Sequence, residues 1–123
     1  MTAKKENVYQ VTFSDQSMEQ LNKLPTDEQL ILMEKLTGVT PQSLKKPSGD
    51  LGKFQREGMP LYRLRASERR IYFEVKDDSI LYCHYIVPKH TLSDFVVRFK
   101  LPVTEEQLVE EHQSFWKYLD TLK

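Results

Sequence analysis

The chain has 123 residues, 39% hydrophobic and 11% aromatic, which suits one ordinary domain with one modest core. Its 18 basic and 18 acidic side chains cancel, and a 29% charged fraction of mixed sign is not that of a disordered chain. No apolar run approaches the roughly 20 residues of a membrane helix, and MTAKKENVY lacks the apolar core of a signal peptide, so a cytoplasmic location is expected.

The neutral total hides a distribution. Residues 45–70 hold 8 basic side chains (Lys45, Lys46, Lys53, Arg56, Arg63, Arg65, Arg69, Arg70) against 3 acidic ones, net +5. Residues 1–44 are net −2, residues 71–100 balance, and residues 101–123 are net −3. Net charge alone does not predict nucleic-acid binding, but a local patch acts within a Debye length of about 8–10 Å.

Residues 8–13, VYQVTF, alternate and are rich in β-formers, so they read as a strand. Ser14 or Asp15 caps a helix running to Lys23, with Met18, Leu21 and Leu24 at helical spacing, and Pro25 ends it. Thr26 with Gln29 forms a capping box for a second helix, whose expected buried stripe is Leu30, Ile31, Met33 and Leu36, with Gly38 after its end. The two helices make an αα-hairpin. Residues 40–60 hold three of the six prolines and three of the four glycines and read as loop, with a short extended piece near Leu51–Phe54.

The next stretch, LYRLRASERRIYFEV (61–75), puts four arginines into fifteen positions and reads as a β-hairpin. With Ser67-Glu68 as a tight turn, Arg65 faces Arg70, Arg63 faces Tyr72 and Leu61 faces Glu74. One face then carries Tyr62, Leu64, Ile71, Phe73 and Val75 and is core. The other carries Arg63, Arg65, Arg70, Tyr72 and Glu74. SILYCHYIV (79–87) follows a turn at Lys76–Asp78, is apolar on both faces and reads as a central strand stopped by Pro88. Thr91 with Asp94 caps a short helix, FVVRFK. Thr104 with Gln107 opens a last helix with Leu108, Phe115, Leu119 and Leu122 as its stripe and Val109, His112 and Trp116 alongside.

The expected fold is α+β, with element order β-α-α-β-β-β-α: a small, mainly antiparallel sheet with an N-terminal helical hairpin, its helices on one face, and an extra C-terminal helix. A single domain is expected over 1–123, with 1–6 as a flexible tail and 103–123 as a C-terminal helical extension.

Directly opposed arginines repel and destabilise a strand pair. Two arrangements offset this. One is an internal carboxylate from Glu74, Glu57 or the C-terminal helix. The other is an external anion, since guanidinium forks match phosphate and stay charged. Tyr72, beside Arg63 on the same face, is placed to stack on a base, which makes the face a single-stranded RNA platform. Cys83, inside an apolar run, reads as a small buried hydrophobe and His84 as a packed histidine. Cys83, His84 and His90 lack zinc-type spacing, and no phosphate-cradling glycine motif is present.

The loop feeding YRLRASERRIYFEV, that hairpin, and a third strand ending in IVPKH resemble the RelE/ParE toxin superfamily of toxin–antitoxin systems, over roughly residues 8 to 99. The resemblance implies a toxin with a cognate antitoxin partner. Ribosome-dependent members cut mRNA with lysines and arginines in place of a metal, and a sister branch inhibits DNA gyrase. Matched by position, Arg63 and Arg65 fall on the basic residues of the second strand, Arg70 on the arginine opening the third, and Lys89 and His90 on the basic cluster after the last strand. The catalytic set so implied is Arg65, Arg70 and His90, with Arg63, Lys89, Tyr72 and Lys53 contacting RNA and no metal or cofactor. Members with a tyrosine base carry it a few residues beyond; LSDFVVRFK has none, and the neutral total charge is a second departure.

The chemistry itself needs no metal. Attack of a ribose 2′-OH on its own phosphate needs a base, an acid for the leaving 5′-oxygen, and cations for the charge on phosphorus. Glu74 and His90 compete as base. A non-catalytic RNA- or protein-binding relative and a gyrase inhibitor are the alternative readings.

Overall fold

The computed structural model describes residues 9–92, 104, 107, 109–110 and 113–121. Among the described residues the elements follow in the order β1 (Gln10–Phe13), α1 (Asp15–Asn22), α2 (Thr26–Thr37), α3 (Pro41–Lys45), β2 (Leu51–Arg56), β3 (Met59–Ala66), β4 (Arg69–Lys76), β5 (Ile80–Pro88) and α4 (Gln113–Asp120). The expected FVVRFK helix, the tail at 1–6, Leu108, His112 and Leu122 lie outside the described residues. Among the described residues no helix is long and apolar enough to cross a membrane.

The strands form one sheet in the order β1-β5-β4-β3-β2, antiparallel except for β1 against β5. β2 to β5 make a meander whose tight turns carry left-handed residues: Glu57 and Gly58, then Ser67, then Asp77 and Asp78. Such conformations match the twist of the flanking strands, which is why short hairpin loops use them. The expected register of the arginine hairpin is the observed one, with Arg65 opposite Arg70 and Arg63 opposite Tyr72. Residues 51–56, expected as loop with a short extended piece, are a full edge strand, because Glu57-Gly58 closes a two-residue turn back onto β3.

The helical hairpin is anchored to β5 by two serines. Ser14 caps α1 by accepting from the Ser17 amide at 3.1 Å and donates to the His84 carbonyl at 2.6 Å. Ser17, fully buried, donates to the Cys83 carbonyl at 3.0 Å. No capping box forms at Thr26; Gln29 instead donates to the Leu21 and Leu24 carbonyls, both at 3.0 Å, closing the end of α1. Leu32 and Leu36 supply the buried stripe of α2, while Leu30 is 64% exposed, so the helix sits rotated from the expected phase. Met18 of α1 is likewise exposed, and Leu21 and Leu24 carry that contact.

Both faces of the sheet are covered, not one. On the hairpin face Leu21, Leu32, Leu36, Leu64, Ile71, Phe73, Leu81 and Ile86 make the larger core. Cys83 is buried there, which pushes its thiol up to about 12, so no thiolate forms near neutral pH. On the opposite face Phe54, Leu61, Tyr72 and Val87 pack against Val109, Phe115, Trp116 and Leu119. α4 stays in place because Phe115 and Leu119 are fully buried and the Trp116 indole donates to the Val109 carbonyl at 2.9 Å.

Candidate nucleic-acid interface

The arginine face survives at one end of the sheet, beyond the edge of α4. Arg65 and Arg70, partners across β3 and β4, line a cleft of about 190 Å³ with Val87, Lys89 and Leu92. Arg65 is exposed and Arg70 half-buried, with Arg70 Nη1 donating to the Arg69 carbonyl at 3.0 Å. Lys89 pairs with Glu68 at 2.8 Å, and its amide donates to the Glu68 carbonyl at 2.8 Å, tying the strand end to the β3–β4 turn. The Lys89 hydrogen bond and charge, with smaller help from Arg70 and Arg69, hold the Glu68 carboxyl below its usual range.

Those internal carboxylates expected as neutralisers that fall among the described residues point elsewhere. Glu74 lies 2.7 Å from His84 Nε2. Asp120 of the C-terminal helix accepts from the Tyr85 hydroxyl at 2.5 Å, and Glu110 accepts from the Gln55 amide at 2.6 Å. Glu57 sits at the β2–β3 turn, at the far end of β3 from Arg65. Among the described residues neither Arg65 nor Arg70 has a carboxylate within ion-pair distance. The opposed pair therefore keeps its repulsion and its donors, which is an arrangement suited to an added anion.

Of the expected RNA contacts, Arg63 and Lys53 do not line that cleft, and Tyr72 lines it with almost no exposed surface. Tyr72 is 1% exposed, edge-on to Trp116 at 5.7 Å and to Phe115 at 6.4 Å between centroids, so its ring is core and no base can stack on it. Arg63 is 7% exposed, laid across Gly52 with its guanidinium 5.9 Å from the Phe54 ring, so it packs the sheet. Lys53 pairs with Tyr62, whose side chain belongs to the hairpin-face core, so Lys53 stands on the other side of the sheet from Arg65 and Arg70. Lys89 reaches the cleft, and His90 is exposed in the turn after β5.

A second constellation is absent from the sequence reading. Glu74 and His84, ten residues apart, meet because β4 and β5 are neighbours, and His84 and Tyr85 both look toward α4. Their only signal in the sequence is the register of one hairpin, and the spacing of the two residues carries none.

No family model matches the sequence, and neither does any curated protein. Among solved structures, a chain of the archaeal RelE–RelB complex from Pyrococcus horikoshii OT3 is similar, with a TM-score of 0.55 at 22% identity over 66% of this chain and 94% of that one. A chain of the RelBE2 toxin–antitoxin complex (Rv2865-2866) from Mycobacterium tuberculosis has a TM-score of 0.49 at 18% identity over 66% of this chain and 98% of that one. With its helical hairpin on one face of a β1-β5-β4-β3-β2 sheet, and superposing on the archaeal complex, the chain has a RelE-like fold.

Proposed function

We propose that this protein is the toxin of a toxin–antitoxin pair and acts as a ribosome-associated, metal-independent mRNA endonuclease that represses translation. The observation that carries the reading is the Arg65–Arg70 pair, opposed across two strands with no carboxylate between them among the described residues and with Lys89 on the same cleft. Guanidinium forks hold a phosphate by charge-assisted, bidentate hydrogen bonds, and an anion between them removes their mutual repulsion. The likeness to a chain of a RelE–RelB complex supports a small protein antitoxin as partner. Cleavage by 2′-OH attack then needs a side chain that takes up and gives back a proton, and His90 and the Glu74–His84 pair are the two candidates.

Primer extension on mRNA from a cell-free translation reaction tests this, with wild-type protein and Arg70→Ala. New 5′ ends that vanish with Arg70→Ala are expected. A fully active Arg70→Ala variant removes the arginine cleft from the mechanism. The burial of Tyr72 under α4 and of Arg63 against Gly52 and Phe54 favours a second reading, an RNA binder that does not cut, and that protein gives salt-dependent binding with intact mRNA.

A further inference from the structure

β5 is irregular where it passes Tyr72. Tyr72 pairs with Tyr85 and Phe73 with Cys83, so His84 is the extra residue. A bulge re-aims side chains and is common beside active sites. Here it sends two successive side chains, His84 and Tyr85, toward the same space. They wall two adjoining clefts, of about 250 and 310 Å³, that also share Asp120.

His84 is built into a defined geometry. Nε2 lies 2.7 Å from Glu74 Oε2, and the two side chains are 32% and 23% exposed. An ionised carboxylate only accepts, so Nε2 carries a ring proton, and in the neutral imidazole Nδ1 keeps its lone pair. Tyr82 holds the ring edge-on at 4.8 Å between centroids. Tyr85, tied to Asp120 at 2.5 Å, fixes the neighbouring wall.

Charge decides what this space accepts. Arg56 and Lys117 outnumber Asp120 in the first cleft, whereas Asp15, Glu19 and Asp120 make the second acidic. An anion is repelled by the second and held by the first. The Arg56 guanidinium lies over the Trp116 ring, 4.5 Å from its centroid, which holds the cation at the first cleft.

We propose that this is a second site of the protein, for a ribonucleotide phosphodiester, with His84 as general base, Glu74 as its positioning residue, and Arg56 and Lys117 as phosphate contacts. The proposal rests on the reading of the protein as RNA-directed. His84 Nδ1 takes the 2′-hydroxyl proton, the 2′-oxygen bonds to phosphorus, and the P–O5′ bond breaks. The 5′-oxygen leaves with a proton from water, and His84 returns its own to solvent. The products are a 2′,3′-cyclic phosphate and a 5′-hydroxyl, with no co-reactant. Glu74 lies four residues along β4 from Arg70, about 13 Å. One phosphate cannot touch both places, so Arg65 and Arg70 hold a neighbouring phosphate of the same strand.

The test uses the full chain in the cell-free translation reaction, scored separately for RNA binding and for new 5′ ends. His84→Asn is expected to cut at least about 100-fold more slowly with affinity within about twofold. Glu74→Gln is expected to lower kcat about tenfold at unchanged KM, and to lose the low-field imidazole N–H resonance of a carboxylate-bonded histidine. Arg70→Ala loses binding and, with it, the new 5′ ends, whereas the His84 variants keep binding. His84→Gln serves where His84→Asn fails to fold. Wild-type cleavage by both His84 variants overturns the proposal and leaves the nuclease reading intact. If the wild-type protein does not cut, the nuclease reading falls, and uridine 3′-monophosphate decides the site. Saturable shifts of the His84 ring signals that weaken in Arg56→Ala and Lys117→Ala support it, and unmoved signals remove it.

Discussion

Replacing Arg70 by Gln is expected to make the protein more stable and its hold on RNA weaker. Arg65 and Arg70 are register partners, which places their Cβ atoms about 4.5–5.5 Å apart. Guanidinium charges about 8 Å apart in a water-like dielectric repel by about 0.5 kcal/mol, inside the range of about 0.2–1 kcal/mol for cross-strand pairs. Glu68 and Lys89 remain paired in the variant, so the turn is undisturbed. With a slope of about 1.5 kcal/mol per molar, the urea midpoint rises by about 0.3 M. The single tryptophan, Trp116, reports unfolding from the core between the sheet and α4. The gain should shrink in 0.5 M salt, since Arg65 is exposed and the repulsion is screened. Loss of a charge-assisted hydrogen bond to phosphate costs about 1.5–3 kcal/mol, or about 10- to 150-fold in Kd for a short labelled RNA read by anisotropy. Opposite signs in the two assays mark a residue kept for binding at the expense of stability. A variant that loses stability and binds RNA as before refutes this, and the arginines are then structural.

Gly52→Ala puts a Cβ 2.6 Å from Arg63 Nη2, and since Arg63 is buried the clash should cost about 1–3 kcal/mol in urea denaturation, most of it relieved in an Arg63→Ala background. Burial, then the hydrogen bond and charge of Asp120, raise the Tyr85 hydroxyl above its ordinary value of 10.0, so the folded state retains a proton that the unfolded chain releases. Stability is full below about pH 10 and falls as pH rises beyond it; Tyr85→Phe should flatten that fall in midpoints taken from pH 8 to 11.5. Cys83, buried with a raised pKa, should resist alkylation by iodoacetamide at pH 8 until the protein is unfolded, and rapid labelling of native protein would contradict its packing.

Alternation was enough to read the arginine hairpin, because apolar Tyr62, Leu64, Ile71 and Phe73 must share one face and the two-residue turn then fixes Arg65 against Arg70. The same alternation misread the other face. Tyr72 shares it with the arginines, and only the packing of α4, distant in sequence, makes it core. β2 was hidden by its composition: Gly52 belongs to a strand because Arg63 lies across it, and Gly58 belongs to a turn. α2 defeated the periodicity argument because TDEQLILMEKLT presents four apolar residues in a row and neither phase is favoured until Leu32 and Leu36 meet the sheet. The Glu74–His84 pair depends on the register of β4 against β5, and the bulge just beyond it, which turns Tyr85 toward the same space, shifts register by one residue without a composition cue.

The acidic C-terminal segment invites the idea that it masks the arginines, and the contacts of its two described acids argue otherwise. Asp120 is engaged by Tyr85 and Glu110 by the Gln55 amide, away from Arg65 and Arg70. The helix buries Phe115 and Leu119 completely and covers Tyr72, Val87, Phe54 and Leu61. Losing one buried Phe costs about 3–5 kcal/mol, and losing two or three such side chains approaches the whole stability of a domain, about 5–15 kcal/mol. Trimming residues 103–123 is therefore expected to unfold or aggregate the protein rather than to raise its RNA affinity. The discriminating variant keeps the packing and removes the charge. Asp120→Asn with Glu110→Gln takes away two acids that no arginine of the cleft touches, so RNA affinity should stay within about twofold at physiological salt. A tenfold gain with the fold intact would mean that the helix screens the cleft through its field, and the division between a packing helix and a binding cleft would have to be given up.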